Sequence, residues 1–244
     1  LNISGVIGES GGPQTLTKIG AGTTALSGIN TYTGTTTISE GTLTVSGGAA
    51  IPDAGAVSFA NVAGVTLNLL SNEAVGSLAG GGATGGNVNL GANTLSVGGA
   101  NSITSYSGVI SGTGNVVKTG TGTQTLAGAN TYTGTTTIGS GGTLSVTGSL
   151  SNATDVDVTG TYNVGSTDTI DGLTGSGNVT IAGAFTLTVG GNNAATPSFG
   201  GVISGATGSF AKTGTGLQTL TGANTYGGTT TLNAGTLTLS GGNN

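Results

Sequence analysis

Along the whole chain, Thr, Ser or Asn alternates with Val, Ile or Leu in short runs such as TTTI, GTLTV, AVSFA, VTLNLL, NVNL and NTLSV. Gly, Asn or Ser bounds each run. A period of two puts successive side chains on opposite faces, so each run predicts a half-buried strand of about four to six residues. Helices are nearly excluded, because Gly and β-branched residues are poor helix formers. The one exception is a turn over NEAVGSL, from Asn72 to Leu78. No run approaches the roughly 20 apolar residues of a membrane span. Even the uncharged stretch from Ala74 to Val117 is broken throughout by Gly, Asn, Ser and Thr, and membrane insertion is not expected.

Self-similarity sets the larger scale. ALSGINTYTGTTTISEGTLTV, ending at Val45, returns as TLAGANTYTGTTTIGSGGTLSV ending at Val146, and as TLTGANTYGGTTTLNAGTLTL ending at Leu239. Each copy follows a lysine motif: Lys18 in KIGAGT, Lys118 in KTGTGT and Lys212 in KTGTGL. Further upstream sit SGVIG, SGVIS and GGVIS, at Ser4, Ser107 and Gly200. Between copies, Val75 to Gly99 corresponds loosely to Ile170 to Gly191. Long repeats are therefore expected at approximately 3–105, 106–198 and 199–244, the third incomplete, within one continuous unit over 1–244.

Two all-β architectures can carry this pattern. Tandem β-sandwich repeats would match the long period, but they need bulky inner faces, and the chain is 4% aromatic without Trp. A right-handed parallel β-solenoid, or β-helix, needs only a thin interior of Val, Ile, Leu and Ala with Gly/Asn corners. Its coils pair at about 4.8 Å and like residues stack. At roughly 20 residues per coil the chain makes about twelve coils, a rod on the order of 55 Å long. The solenoid is the favoured architecture. It requires GTLTV, GTLSV and GTLTL to be strands in equivalent coil positions, with Leu43/Val45, Leu144/Val146 and Leu237/Leu239 pointing inward.

Composition narrows the chemistry. Of 244 residues 53 are Gly, 5% are charged, and Cys, Met, Trp and His are absent. The basic residues are three lysines against eight acids, a net charge of −5. No zinc, haem or iron–sulfur site of the usual kind, no disulfide framework and no His- or Cys-based catalysis can be built, and no cofactor is expected. Three lysines offer no electrostatic footprint for nucleic acid. A mean hydropathy of +0.23 with little charge argues against a disordered linker.

The recurring block from Lys18 to Val45, Lys118 to Val146 and Lys212 to Leu239 resembles the autotransporter-associated β-strand repeat of the passenger regions of large Gram-negative surface proteins. The looser sequence between blocks is similar to the same class of repeat adhesins. The resemblance implies a parallel β-solenoid, a Gram-negative cell-surface or extracellular location and type V export. The family's repeats are mostly scaffold and share no catalytic residues.

Acidic residues are the only acid/base candidates. Asp155 and Asp157 lie in TDVDVTG, so their side chains share one face, opposite Val156 and Val158. Asp168 and Asp171 follow within the next coil. Four such carboxylates form a candidate Ca²⁺ site, or a site for polysaccharide cleavage. Against both, no GGxGxDxU calcium pattern is present, no Arg or His accompanies the acids, and the first repeat has uncharged or unrelated residues at comparable places. Solvated carboxylates that oppose aggregation are the plainer reading, and no catalytic residue is assigned. The three lysines read as positive charges on turns that blunt edge pairing. Asn30, Asn130 and Asn224 of the NTY motifs suit Asx-type bonds to turn backbone. The adjacent tyrosines read as covers for a coil corner rather than a sugar platform.

The expected function is a non-enzymatic extracellular rod: a surface stalk, an adhesin passenger or a self-assembling matrix fibre. The alternative is a carbohydrate-active β-helix lyase or glycosidase. Neither end of the chain carries a cap signature. The expected partners are therefore further copies of the chain, or continuing solenoid coils, stacked end to end, with surface glycans or host and matrix molecules as candidate ligands.

Overall fold

Stacked Val, Ile and Leu form the interior of the rod. In β17 (Thr143–Val146), Leu144 and Val146 are fully buried while Thr143 and Ser145 face outward. β19 (Thr161–Val164) lies on β17 in parallel register, setting Tyr162 over Leu144 and Val164 over Val146. The computed structural model describes residues 1–193 and 196–242. Asn243 and Asn244, which close the third long repeat, lie outside the described residues. Among the described residues every sheet is parallel and no helix forms, so the chain is a parallel β-solenoid of about 12 turns rather than a row of sandwiches.

The cross-section has three sides. One turn runs from β7 (Thr66–Leu69) through β8 (Glu73–Val75) to β9 (Ser77–Gly80), each in a different sheet. A six-stranded sheet opens the first side and a four-stranded sheet closes it. A ten-stranded sheet forms the second side and a nine-stranded sheet the third. The first two of these sheets share a side because hydrogen bonds run from one to the other. Thr131 N donates to Ile110 O at 2.9 Å, Ala129 bridges Ser149, and Leu150 N donates to Asp168 Oδ2 at 3.0 Å.

The GTLTV-type strands are β5 (Thr42–Val45), β17 and β29 (Thr236–Leu239). Leu43, Val45, Leu144 and Val146 are buried, as alternation requires. Leu237 packs on the core but Leu239 is 43% exposed, because among the described residues β29 is the end strand of its sheet. NEAVGSL is not a turn. It forms β8 and the start of β9, since Val75 and Leu78 fill the interior and the neighbouring coils supply strand partners.

Equivalent strands do not stack on one side. The lysine strands β2 (Leu16–Lys18), β14 (Asn115–Lys118) and β26 (Ser209–Lys212) lie in the ten-, nine- and four-stranded sheets. Between one lysine strand and the next, the chain completes four turns and two further sides. Successive copies are thus a third of a turn out of phase. On a spacing of about 4.8 Å per coil they are set roughly 22 Å apart along the axis.

Candidate functional site

The lysines point inward. Lys118 and Lys212 are 1% exposed and Lys18 is 6% exposed. Lys18 Nζ donates to the carbonyl oxygens of Ile19, Gly20 and Glu40 at 3.0, 2.6 and 2.9 Å. Lys118 bonds the carbonyls of Thr119 and Gly120, and Lys212 those of Thr213 and Gly214. The glycine two residues on, Gly20, Gly120 or Gly214, holds φ of 75°, 64° or 66°. That left-handed conformation turns its carbonyl toward the ammonium. At Gly120 and Gly214 a Cβ would also strike the carbonyl of Gly98 or Gly190 in the coil beneath. Burial lowers the pKa of Lys118 and Lys212. The expectation of solvent-facing charges that blunt an edge is overturned: each ammonium neutralises the carbonyls of a tight turn.

The NTY and GVI motifs form one device. Asn30 Oδ1 accepts from Ile7 N at 2.7 Å and its Nδ2 donates to Ala50 O at 2.7 Å, joining three successive coils. Asn130 repeats this with Ile110 N and Ser149 O, and adds the turn carbonyl of Gly128, all at 3.0 Å. Asn224 accepts from Ile203 N at 2.8 Å and donates to Gly222 O at 3.1 Å. Two residues on, Tyr32, Tyr132 and Tyr226 lie buried, each sharing a hydrogen bond with the threonine four positions later at 2.6–2.7 Å. The rings fill the coil interior and offer no surface for a sugar to stack on.

The four candidate aspartates separate into different environments. Val156 and Val158 point inward, leaving Asp155 exposed and Asp157 half-buried on the outside. Asp157 takes a long hydrogen bond of 3.4 Å from Thr174 Oγ1. Asp171 is buried at a corner, where its Oδ1 accepts from Asn192 N at 2.9 Å. Although its side chain is exposed, desolvation by the surrounding chain and the nearby Asp171 raise the pKa of Asp155. Asp168 faces the interior, accepting from Leu150 N and Thr169 N at 3.0 Å. Among the described residues no three acidic groups converge to hold a metal ion.

Nothing in the alternation marks the acid that matches Asp168 in the first repeat. Asp168 opens β20 (Asp168–Ile170), and Glu73 opens β8 at the same number of sides past its lysine strand. The alignment NEAVGSLAG with TDTIDGLTG confirms the pairing, so the two repeats are not unrelated at this position. Glu73 is 2% exposed, and its Oε1 accepts from Ile51 N at 2.6 Å. Both carboxylates stand where a side resumes regular strands after the NTY coil and the one above it. Each takes the peptide N–H that a strand would otherwise have bonded. Burial, the largest cause in both cases, raises Glu73 to about 7 and Asp168 to about 6.

Comparison with known proteins agrees with this geometry. Residues 16–45, 116–146 and 210–239 match the passenger-associated-transport-repeat family, and these segments carry the lysine turn, the NTY staple and the closing GTLTV-type strand. The adhesin BmaC autotransporter of Brucella suis biovar 1 (strain 1330) is 46% identical over 123 residues. That match covers 50% of this chain but 4% of the relative's length. No solved structure matches.

Proposed function

We propose that this array of three passenger-associated-transport-repeats is a non-enzymatic rod segment of an autotransporter-type passenger, held outside a Gram-negative cell as a spacer. The observation that carries this reading is where the shared residues go. Lysine, asparagine and tyrosine recur in all three copies, and each copy uses them inside the solenoid, to hold turns and join coils. Interface affinity usually resides in Trp, Tyr and Arg. Here Trp is absent, the basic residues are all lysine, and all five tyrosines are buried. Among the described residues Phe185 is the one aromatic side chain that reaches solvent. The outside is mainly Thr, Ser, Asn and Gly with scattered carboxylates and single exposed aliphatic side chains such as Ile29, Leu70 and Ile103, a surface suited to solubility and reach rather than grip. Glycan or host ligands of a longer passenger would then be held by other parts of it.

Beads coated with this segment test the reading. They should retain epithelial cells and extracellular-matrix proteins no better than uncoated beads, while electron microscopy shows rods of about 55 Å. Saturable retention, abolished by substitutions on one side of the rod, would assign adhesion to the segment itself.

A further inference from the structure

We propose that Glu73 and Asp168 are a pair of acid-set locks, which hold the interrupted side of each repeat closed when protonated and loosen it when ionised. Two independent copies place a carboxyl at the same point of the repeat, on different sides of the rod. Each is buried, and each reaches the coil beneath where strand pairing is broken, at Ile51 N and at Leu150 N. Among the described residues neither has a positive partner. The ionisable groups acting on Glu73 are Asp53 and Tyr32; those acting on Asp168 are Tyr162 and Tyr132. The lysines are bound within their own turns.

At Glu73 an unmet hydrogen bond points the same way. Glu73 Oε2 is buried without a partner, so a negative charge there would lack donors on one oxygen. Asp168 has donors on both oxygens and Tyr162 Oη beside it, so there it is burial without a counter-ion, rather than missing donors, that opposes the charge. A buried charge without a counter-ion or a full set of donors is costly, and a carboxyl so placed keeps its proton instead. Both groups have folded-state pKa values raised above the unfolded ones, to about 7 and about 6. The bonds these carboxyls accept favour the ionised form, but burial outweighs them, so protonation favours the folded rod. The stabilisation is complete below the unfolded pKa values near 4 and is lost as pH rises through 6 to 7. The locks contribute fully below about pH 4 and still largely at pH 5, and toward pH 8 both carry a charge without a counter-ion.

Thermal melts of the whole chain at about pH 5 and pH 8, for wild type and for Glu73→Gln with Asp168→Asn, test this. The wild-type melting temperature should fall by roughly 5–15 °C between the two conditions. The double variant, neutral at both, should lose less than a third of that. A wild-type melting temperature that is unchanged or higher at pH 8 overturns the proposal, as does a double variant that keeps the full loss. Infrared spectroscopy of the wild-type chain gives a readout without substitution. A protonated-acid carbonyl band present at pH 5.5 should vanish by pH 8.5, and its absence at pH 5.5 also refutes the locks.

Discussion

The side-chain amide of Gln124 is paired with the peptide of Leu78, 46 residues and two coils away. Gln124 Oε1 accepts from Leu78 N and its Nε2 donates to Leu78 O, both at 3.0 Å. The coil between them leaves Leu78 uncovered, because β12 (Thr104–Tyr106) begins late and meets β9 only through Tyr106 and Gly80. Gln218 treats Leu173 in the same way, at 3.2 and 2.9 Å. A buried glutamine here does the work of a missing strand. Gln124→Leu should therefore cost about 3 kcal/mol, since it fills the space but orphans a buried N–H and C=O. Denaturant titration measures it, and a loss below about 0.5 kcal/mol would show that the amide is dispensable.

Lysine substitution separates a turn-holding role from a solvated one. Lys118→Met removes the ammonium that binds the carbonyls of Thr119 and Gly120, and the expected loss is about 2 kcal/mol. A solvent-facing lysine would give about 0.5 kcal/mol or less. Amine-reactive labelling followed by mass spectrometry should modify the amino terminus of the native chain readily, and the three lysines only after unfolding.

Alkali should act through the tyrosines. Burial raises the pKa of Tyr32, Tyr106, Tyr132 and Tyr162 above the ordinary value near 10. A raised folded-state pKa means that each ring stabilises the fold below pH 10, and that this contribution disappears as pH climbs through the folded value. Phenolate absorbance should lag behind free tyrosine and then rise together with loss of the β-sheet circular dichroism. An ordinary titration curve with the fold intact would contradict the burial of these rings.

Chelation should do nothing. The acids that sequence proximity groups together diverge into the interior, a corner and the outer face, so EDTA should leave the melting temperature where it was. A fall of several degrees, restored by Ca²⁺, would mean that Asp155 and Asp171 gather further ligands.

Much of this fold is legible in residues of period two. Leu144 and Val146 declare their inward face by alternation alone, and the parallel stack follows from strands too thin and too glycine-rich to pack as sandwiches. Side-chain destinations are less legible, because hydropathy treats any lysine, glutamine or glutamate as surface. Lys118, Gln124 and Glu73 are inside because the coil has peptide groups that lack backbone partners. That need arises only when turns of unequal shape are stacked. A faint clue was available: Lys118 and Gln124 occupy positions where the alternation calls for an inward residue.

The third-of-a-turn phase between copies has a mechanical consequence. Each NTY coil is a joint, a place where one side of the rod gives up its regular ladder. In the first copy the joint falls on the third side, in the second copy on the first, and in the third copy on the second. Joints lined up on one side would make a hinge line, along which the rod would fold under load. Staggered around the circumference, as a bricklayer offsets courses, they leave no side of the rod with a continuous seam along which to fold.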